Sequence, residues 1–184
     1  EKRVEVVLRA FPQVREMLGP RTALVFVGDG PLMGKMREEA PEGVHFTGFL
    51  KGIELAEAFA AGVLFVFASE TETFGNVVLE AMASGLPVVS TARMGTRDVL
   101  VDGEGCVVSP LDADAFAERV MRLYDSPAQR ALLSGSAIAY ARRWASDAKA
   151  FEMVACYERT LQAAAGESGK TMEATSVRAD VKAE

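Results

Sequence analysis

Val63-Leu64-Phe65-Val66-Phe67-Ala68-Ser69-Glu70-Thr71-Glu72-Thr73-Phe74-Gly75-Asn76-Val77-Val78-Leu79-Glu80-Ala81-Met82-Ala83-Ser84-Gly85-Leu86-Pro87-Val88-Val89 reads as a strand, a loop, a helix and a second strand. Val63 to Phe67 is a short apolar run of the kind that forms a fully buried strand. Asn76 to Ala83 reads as a helix, which Gly85 and Pro87 stop. Glu72 then stands at the carboxyl end of a strand, and Glu80, eight residues on, lies on the following helix. Phe74-Gly75-Asn76 presents backbone N–H groups at that helix's N-terminus, where unpaired amides and the helix dipole favour an anion. Val77, Val78, Leu79 and Met82 surround Glu80 with apolar neighbours, so the helix reads as largely buried and its acid as functional.

The same alternation extends in both directions. An opening helix carries Val4, Val7, Leu8, Phe11, Val14 and Leu18 at three-to-four spacing, and Pro12 predicts a kink or break in it. Thr22 to Val27 is a strand ending in Gly28-Asp29-Gly30-Pro31, and a helix from Leu32 to Ala40 follows. Val44-His45-Phe46 is a brief strand, and Glu54 to Ala61 a helix. Beyond Val88-Val89-Ser90, Cys106-Val107-Val108 is a last strand, and Asp112 caps a helix to Tyr124. Pro127 to Arg143 and Ala148 to Leu161 are two more helices. Strands alternating with helices predict an α/β fold with a doubly wound parallel sheet, and continuously apolar strands predict burial on both faces. The expected domain is 1–163, with 164–184 a disordered tail poor in large apolar residues. Such a sheet ordinarily opens on a strand; this chain opens within a helix, so it reads as a fragment cut after its first strand.

Bulk properties exclude several classes. A net charge of −6 argues against a nucleic-acid surface, and no run of 18 apolar residues suggests a membrane span. Cys106 and Cys156 are far apart and carry no C-x-x-C spacing, which suits a reducing, cytoplasmic setting. No metal-ligand spacing is present, so no metal and no cofactor are expected. His45, the only histidine, has no acid or cysteine partner nearby in sequence and reads as structural. Gly28 to Lys35 is not a P-loop: three residues separate Gly30 from Gly34, and Met36 follows Lys35. Nor is it a dinucleotide fingerprint, because the spacing is G-x-G-x-x-x-G. Gly28 and Gly30 remain candidates for facing a ligand, since open α/β sheets bind ligands at their strand ends.

Carboxylates that hold hydroxyls, beside amides that hold phosphate, suit a sugar nucleotide. The segment from Glu72-Thr73-Phe74-Gly75 through Glu80 to Val89 resembles the E-x7-E segment of retaining GT-B glycosyltransferases of family 4. Glu1-Lys2 is similar to the end of that family's R-x-x-x-E-K segment, Leu24 to Pro31 to its V-G-x-G-P turn, and Val44 to Phe49 to its V-x-F-x-G segment. Thr96 to Gly103, with Gly105 and Val107-Val108, is similar to a further downstream stretch.

The resemblance implies the Rossmann-like C-terminal half of a GT-B enzyme, truncated at its start and closed by C-terminal helices. It implies that Glu72 positions the donor sugar, and that Phe74, Gly75, Asn76 and Val77 offer amides to the diphosphate. Glu80 would hold the ribose hydroxyls and Lys2 would neutralise the pyrophosphate, with Phe49 and Leu50 packing on the base. Transfer would retain anomeric configuration without a metal, Glu72 positioning the donor and not acting as nucleophile. The acceptor (lipid, glycan or small molecule) would bind an N-terminal domain outside this chain, with contact to the inner membrane face through that domain where the acceptor is a lipid. The isolated piece is expected to be inactive. A non-catalytic nucleotide-sugar-binding module is the alternative. A GT-B epimerase fits the Thr73-Phe74-Gly75 context less well, and a phosphorylase lacks a segment suited to pyridoxal phosphate.

Overall fold

The computed structural model describes residues 2–159, so Glu1, Leu161 and the expected tail at 164–184 lie outside the described residues. The chain divides into two compact units that meet in sequence at Arg142 and Arg143. In the first, the elements run α1 (Val4–Leu18), β1 (Leu24–Val27), α2 (Met33–Glu39), β2 (Val44–Gly48), α3 (Gly52–Ala61), β3 (Phe65–Phe67), α4 (Asn76–Ala83), β4 (Val88–Ser90), α5 (Gly95–Val99), β5 (Cys106–Val108), α6 (Ala113–Tyr124) and α7 (Pro127–Arg143). The described part of the second unit carries a helix over 146–159, on which Phe151, Met153, Val154 and Tyr157 are exposed.

All strand pairing is parallel, as the alternation of elements requires. The strands form two ladders: β1 with β2, and β3-β4-β5 with β4 in the middle. Phe65 is in register with Val88, and Val88 with Cys106, so the carboxyl ends of β3, β4 and β5 lie side by side. Helices cover both faces of this ladder. On one face, Val66, Ala68, Val89 and Val107 join Val7, Ala10 and Val14 of α1 and Phe116 and Ala117 of α6 in the main core. Phe65 turns the other way, to Phe59 of α3 and Ala81 and Val77 of α4. This two-faced burial is what period-two side chains in a doubly wound sheet must produce. Phe116 is only 1% exposed, and burying a side chain of that size contributes roughly 2–3 kcal/mol.

The structure departs from the sequence expectations at five points. The strands are not uniformly buried, because β1 alternates: Leu24 and Phe26 face the core while Val25 and Val27 are 50% and 43% exposed. The β1–β2 and β3–β5 ladders share no pairing among the described residues, which leaves part of their surface uncovered. The expected strand from Val63 shortens to Phe65–Phe67, with Val63 itself exposed. Of the kink or break expected at Pro12, the break does not occur: α1 runs without interruption from Val4 to Leu18. Its stripe of Val6, Val7, Ala10, Phe11 and Val14 is buried, which outweighs the hydrogen bond that proline removes. Finally, Glu80 is exposed: α4 buries Val78, Ala81 and Met82 and turns the glutamate outward.

Candidate functional site

Three segments converge at the carboxyl ends of β3 and β4. The first is the loop between β3 and α4, which runs from Ala68 to Gly75 and carries Glu70 and Glu72. The second is the entry of α1, where Lys2 and Arg3 meet that loop. The Lys2 ammonium pairs with the Glu72 carboxylate, and the Arg3 guanidinium with that of Glu70. Lys2 Nζ also lies 5.8 Å from the Phe67 ring centroid, a cation–π contact at the end of β3. Arg3 adopts a left-handed backbone conformation with φ 48°, uncommon for a residue with a side chain. Its hydrogen bond and charge contact with Glu70 raise its pKa further, so it is a permanent cation.

The third segment is the loop from Thr91 to Met94, between β4 and α5. Here the amide of Gly95 donates to the carbonyl oxygen of Glu72 at 2.9 Å. A side chain at Gly95 would put its Cβ 2.1 Å from the carbonyl oxygen of Thr73, so only glycine permits the approach. Gly75, with φ 92°, begins α4, and a Cβ there would lie 2.9 Å from the Thr96 methyl carbon. Ala92 and Met94 both have positive φ within this loop. Sequence inspection missed the whole segment as part of the site. Its signal was the lone Gly95 after a strand end.

The N-terminus of α4 carries no side-chain cap. Its N-cap is Gly75, and its first turn holds no acid. α6 is built the other way: the Asp112 carboxylate accepts from the Ala115 amide at 2.9 Å. α4 shares its lack of a side-chain cap with α1, α2, α3 and α5, and the Glu72 side chain lies against Gly75 at its start. Phe74 is 40% exposed at this helix start, and Asn76 and Glu80 are exposed on the same helix.

The other candidates gather at the ends of β1 and β2. The Gly28 amide donates to the Gly48 carbonyl at 2.8 Å, which holds the Gly28–Pro31 turn against the Phe49-Leu50 segment. Phe49 is 70% exposed, with Lys51 Nζ 5.2 Å from its ring centroid. So Gly28, Gly30, Phe49 and Leu50 form one group, and Lys2, Glu72, Phe74, Gly75, Asn76 and Val77 another, with Glu80 further along α4 and its carboxylate hydrogen-bonded to none of them. Both lie at carboxyl strand ends, where open parallel sheets bind ligands. His45 is exposed in the middle of β2, away from either group. A cavity of about 410 Å³ opens between Gly62, Pro87 and Arg130 at the amino ends of β3 and β4 and belongs to neither group.

Residues 1–126 match the family model described as glycosyl transferases group 1. The chain belongs to that family. Among the family's named proteins, this chain is 36% identical over 140 residues to the sulfoquinovosyl transferase SQD2 of Arabidopsis thaliana, covering 73% of this chain and 27% of that protein. It is 40% identical over 121 residues to a GDP-mannose-dependent alpha-mannosyltransferase of Mycolicibacterium smegmatis, covering 60% of this chain and 32% of that protein. The solved structure of a sucrose-phosphate synthase from Thermosynechococcus elongatus superimposes with a TM-score of 0.72 at 27% identity, covering 88% of this chain and 43% of that one. The chain therefore spans about a third of the length of the curated family members it matches. Among the described residues, no helix is long and apolar enough to cross a membrane.

Proposed function

We propose that this chain is the donor-binding half of a glycosyltransferase that moves a sugar from a nucleoside diphosphate sugar to an acceptor, with retention of anomeric configuration. The observation that carries the proposal is the meeting of a cation, a carboxylate and a helix N-terminus without a side-chain cap at one strand end: Lys2, Glu72 and the start of α4. In this reading Lys2 and the amides from Phe74 to Val77 bind the diphosphate. They stabilise the charge that grows on it as the sugar–phosphate bond breaks, with no metal required. Preorganised donors of this kind contribute about 3–4 kcal/mol each when aimed at developing charge. Glu72 accepts hydrogen bonds from sugar hydroxyls and orients the sugar, and it forms no covalent bond to it. Glu80, exposed on α4, accepts from the ribose hydroxyls, and Phe49 and Leu50 pack on the base, with Gly28 and Gly30 lining the approach.

Retention follows, in this proposal, from attack on the same face of the sugar as the departing diphosphate, whose oxygen takes the acceptor proton. Acceptor recognition and any contact with a membrane surface then belong to the rest of the protein, which works on the cytoplasmic side. The mannosyltransferase's name specifies GDP-mannose, which supports a nucleotide sugar, and the other relative's name specifies a sulfoquinovosyl group, so the two differ in the sugar transferred.

The test is nucleotide binding by the full-length protein, titrated with UDP, GDP and ADP. One nucleotide is expected to saturate, and Lys2→Ala to weaken it about tenfold or more, the effect of losing a charged hydrogen-bond partner. Saturation by none of the three would overturn the proposal.

A further inference from the structure

Lys2 and Glu72 are assigned to different parts of the donor, yet in this structure they are paired with each other. We propose that this ion pair biases the site against the bare nucleoside diphosphate, and so in favour of the complete nucleotide sugar. The inference rests on the donor-site reading above.

The physical basis is an asymmetry in what each ligand leaves behind. The Glu72 side chain is only 18% exposed, while that of Lys2 is 55% exposed. Lys2 is therefore the partner that can swing, and Glu72 the one that stays partly enclosed. A diphosphate that draws the ammonium onto its own oxygens strips Glu72 of its counter-charge. A carboxylate left without its partner away from full solvent bears a desolvation penalty. A sugar on the same diphosphate removes that penalty, because its hydroxyls donate to Glu72 where the ammonium had been. The penalty thus falls on the sugar-free nucleotide alone. That nucleotide is also the product left after transfer, so the return of Lys2 to Glu72 competes with it and favours its release.

The neighbouring pair keeps this exchange local. Arg3 follows Lys2 directly and is held to Glu70 on the same loop, so the backbone on which Lys2 pivots is tied down while its side chain moves. Arg3 also reaches Glu5 at 3.4 Å, which fixes the start of α1. Removing Glu72 frees Lys2. Removing Glu70 takes away a nearby negative charge without freeing it.

The experiment is calorimetry on the full-length protein with UDP, GDP, UDP-glucose and GDP-mannose, comparing wild type, Glu72→Gln, Glu70→Gln and Lys2→Ala. Thermal unfolding of each variant verifies that it is folded. In Glu72→Gln the nucleoside diphosphate should bind about threefold to tenfold more tightly while the nucleotide sugar binds more weakly. Glu70→Gln should change neither by more than about twofold, because its carboxylate pairs with Arg3 and not Lys2, and Arg3 keeps its contact with Glu5. Nucleoside diphosphate affinity that is unchanged or weaker in Glu72→Gln would overturn the proposal. So would equal tightening in Glu70→Gln, which would make the effect one of bulk charge. If wild type binds nucleotide and Lys2→Ala does not, either result refutes the pair's role alone. If wild type binds no nucleotide at all, the donor-site reading fails and this inference with it.

Discussion

The backbone amide of Gly95 donates to the carbonyl oxygen of Glu72 at 2.9 Å, which seats the loop after β4 against the loop that carries the carboxylate. Glu72 is thus held from behind by its main chain and from in front by the Lys2 ammonium. Gly95→Ala would force a Cβ to within 2.1 Å of the Thr73 carbonyl oxygen, a backbone atom that cannot rotate away. The expected result is a loss of about 1–3 kcal/mol of stability, typical of overpacking, together with weaker donor binding. Thermal unfolding and nucleotide titration check it; a variant equal to wild type in both would show that the loop is not fastened here.

Asp112 offers a comparison outside the site. Its carboxylate caps α6 through the Ala115 amide, and α6 contributes Phe116, Ala117 and Leu123 to the main core. Asp112→Ala should lower stability by about 1 kcal/mol, the usual value of a helix cap, and leave nucleotide affinity unchanged. Urea unfolding measures the first, and titration the second.

Pro12 is exposed in mid-α1, where it removes a helix hydrogen bond without contributing to the core. Pro12→Ala should therefore stabilise the protein, by an amount up to about 3 kcal/mol. A lower unfolding midpoint in that variant would mean that α1 needs the proline's geometry.

Burial pushes the Cys106 thiol from 9.0 up to about 12, and Asp102 and Glu104 add to the shift. In the unfolded chain the thiol ionises near its ordinary value, so between about pH 9 and pH 12 the native state retains a proton that the unfolded state has lost. The stability this contributes is complete below pH 9 and falls away as the pH rises through that window. Wild type should therefore lose stability on raising the pH from 8 to about 10.5 more steeply than Cys106→Ala does. Thiol labelling supplies a second readout: exposed Cys156 should react in the native protein while buried Cys106 reacts only on unfolding.

Much of the fold is legible in the sequence because its strands are short apolar runs with glycine or proline at their borders. α4 spans Asn76–Ala83, β4 Val88–Ser90 and β5 Cys106–Val108, all as their local patterns predict. The family resemblance of the E-x7-E segment is legible for the same reason, since its residues are close together in the chain. What is not legible depends on contacts between distant residues. Lys2 meets Glu72 across 70 positions and Arg3 meets Glu70 across 67, pairings that no local pattern encodes. α5 is a five-residue helix of mostly polar sequence, held by the buried Thr96, whose hydroxyl donates to the Arg93 carbonyl at 2.7 Å. The outward orientation of Glu80 is not legible either, because apolar neighbours in sequence fill one side of a helix and need not surround a residue on the other.

The central claim is that Glu72 and Glu80 serve a nucleotide-sugar donor site. It is tested most directly by transfer and hydrolysis assays on the full-length protein with a panel of UDP-, GDP- and ADP-sugars, comparing wild type with Glu72→Ala and Glu80→Ala. Turnover with one donor is predicted, reduced by about 100-fold or more in Glu72→Ala, as for loss of a group that orients the reacting sugar. Glu80→Ala should act chiefly by raising the donor KM, because a ribose contact binds ground state and transition state alike. Turnover that survives unchanged in both variants would contradict the account.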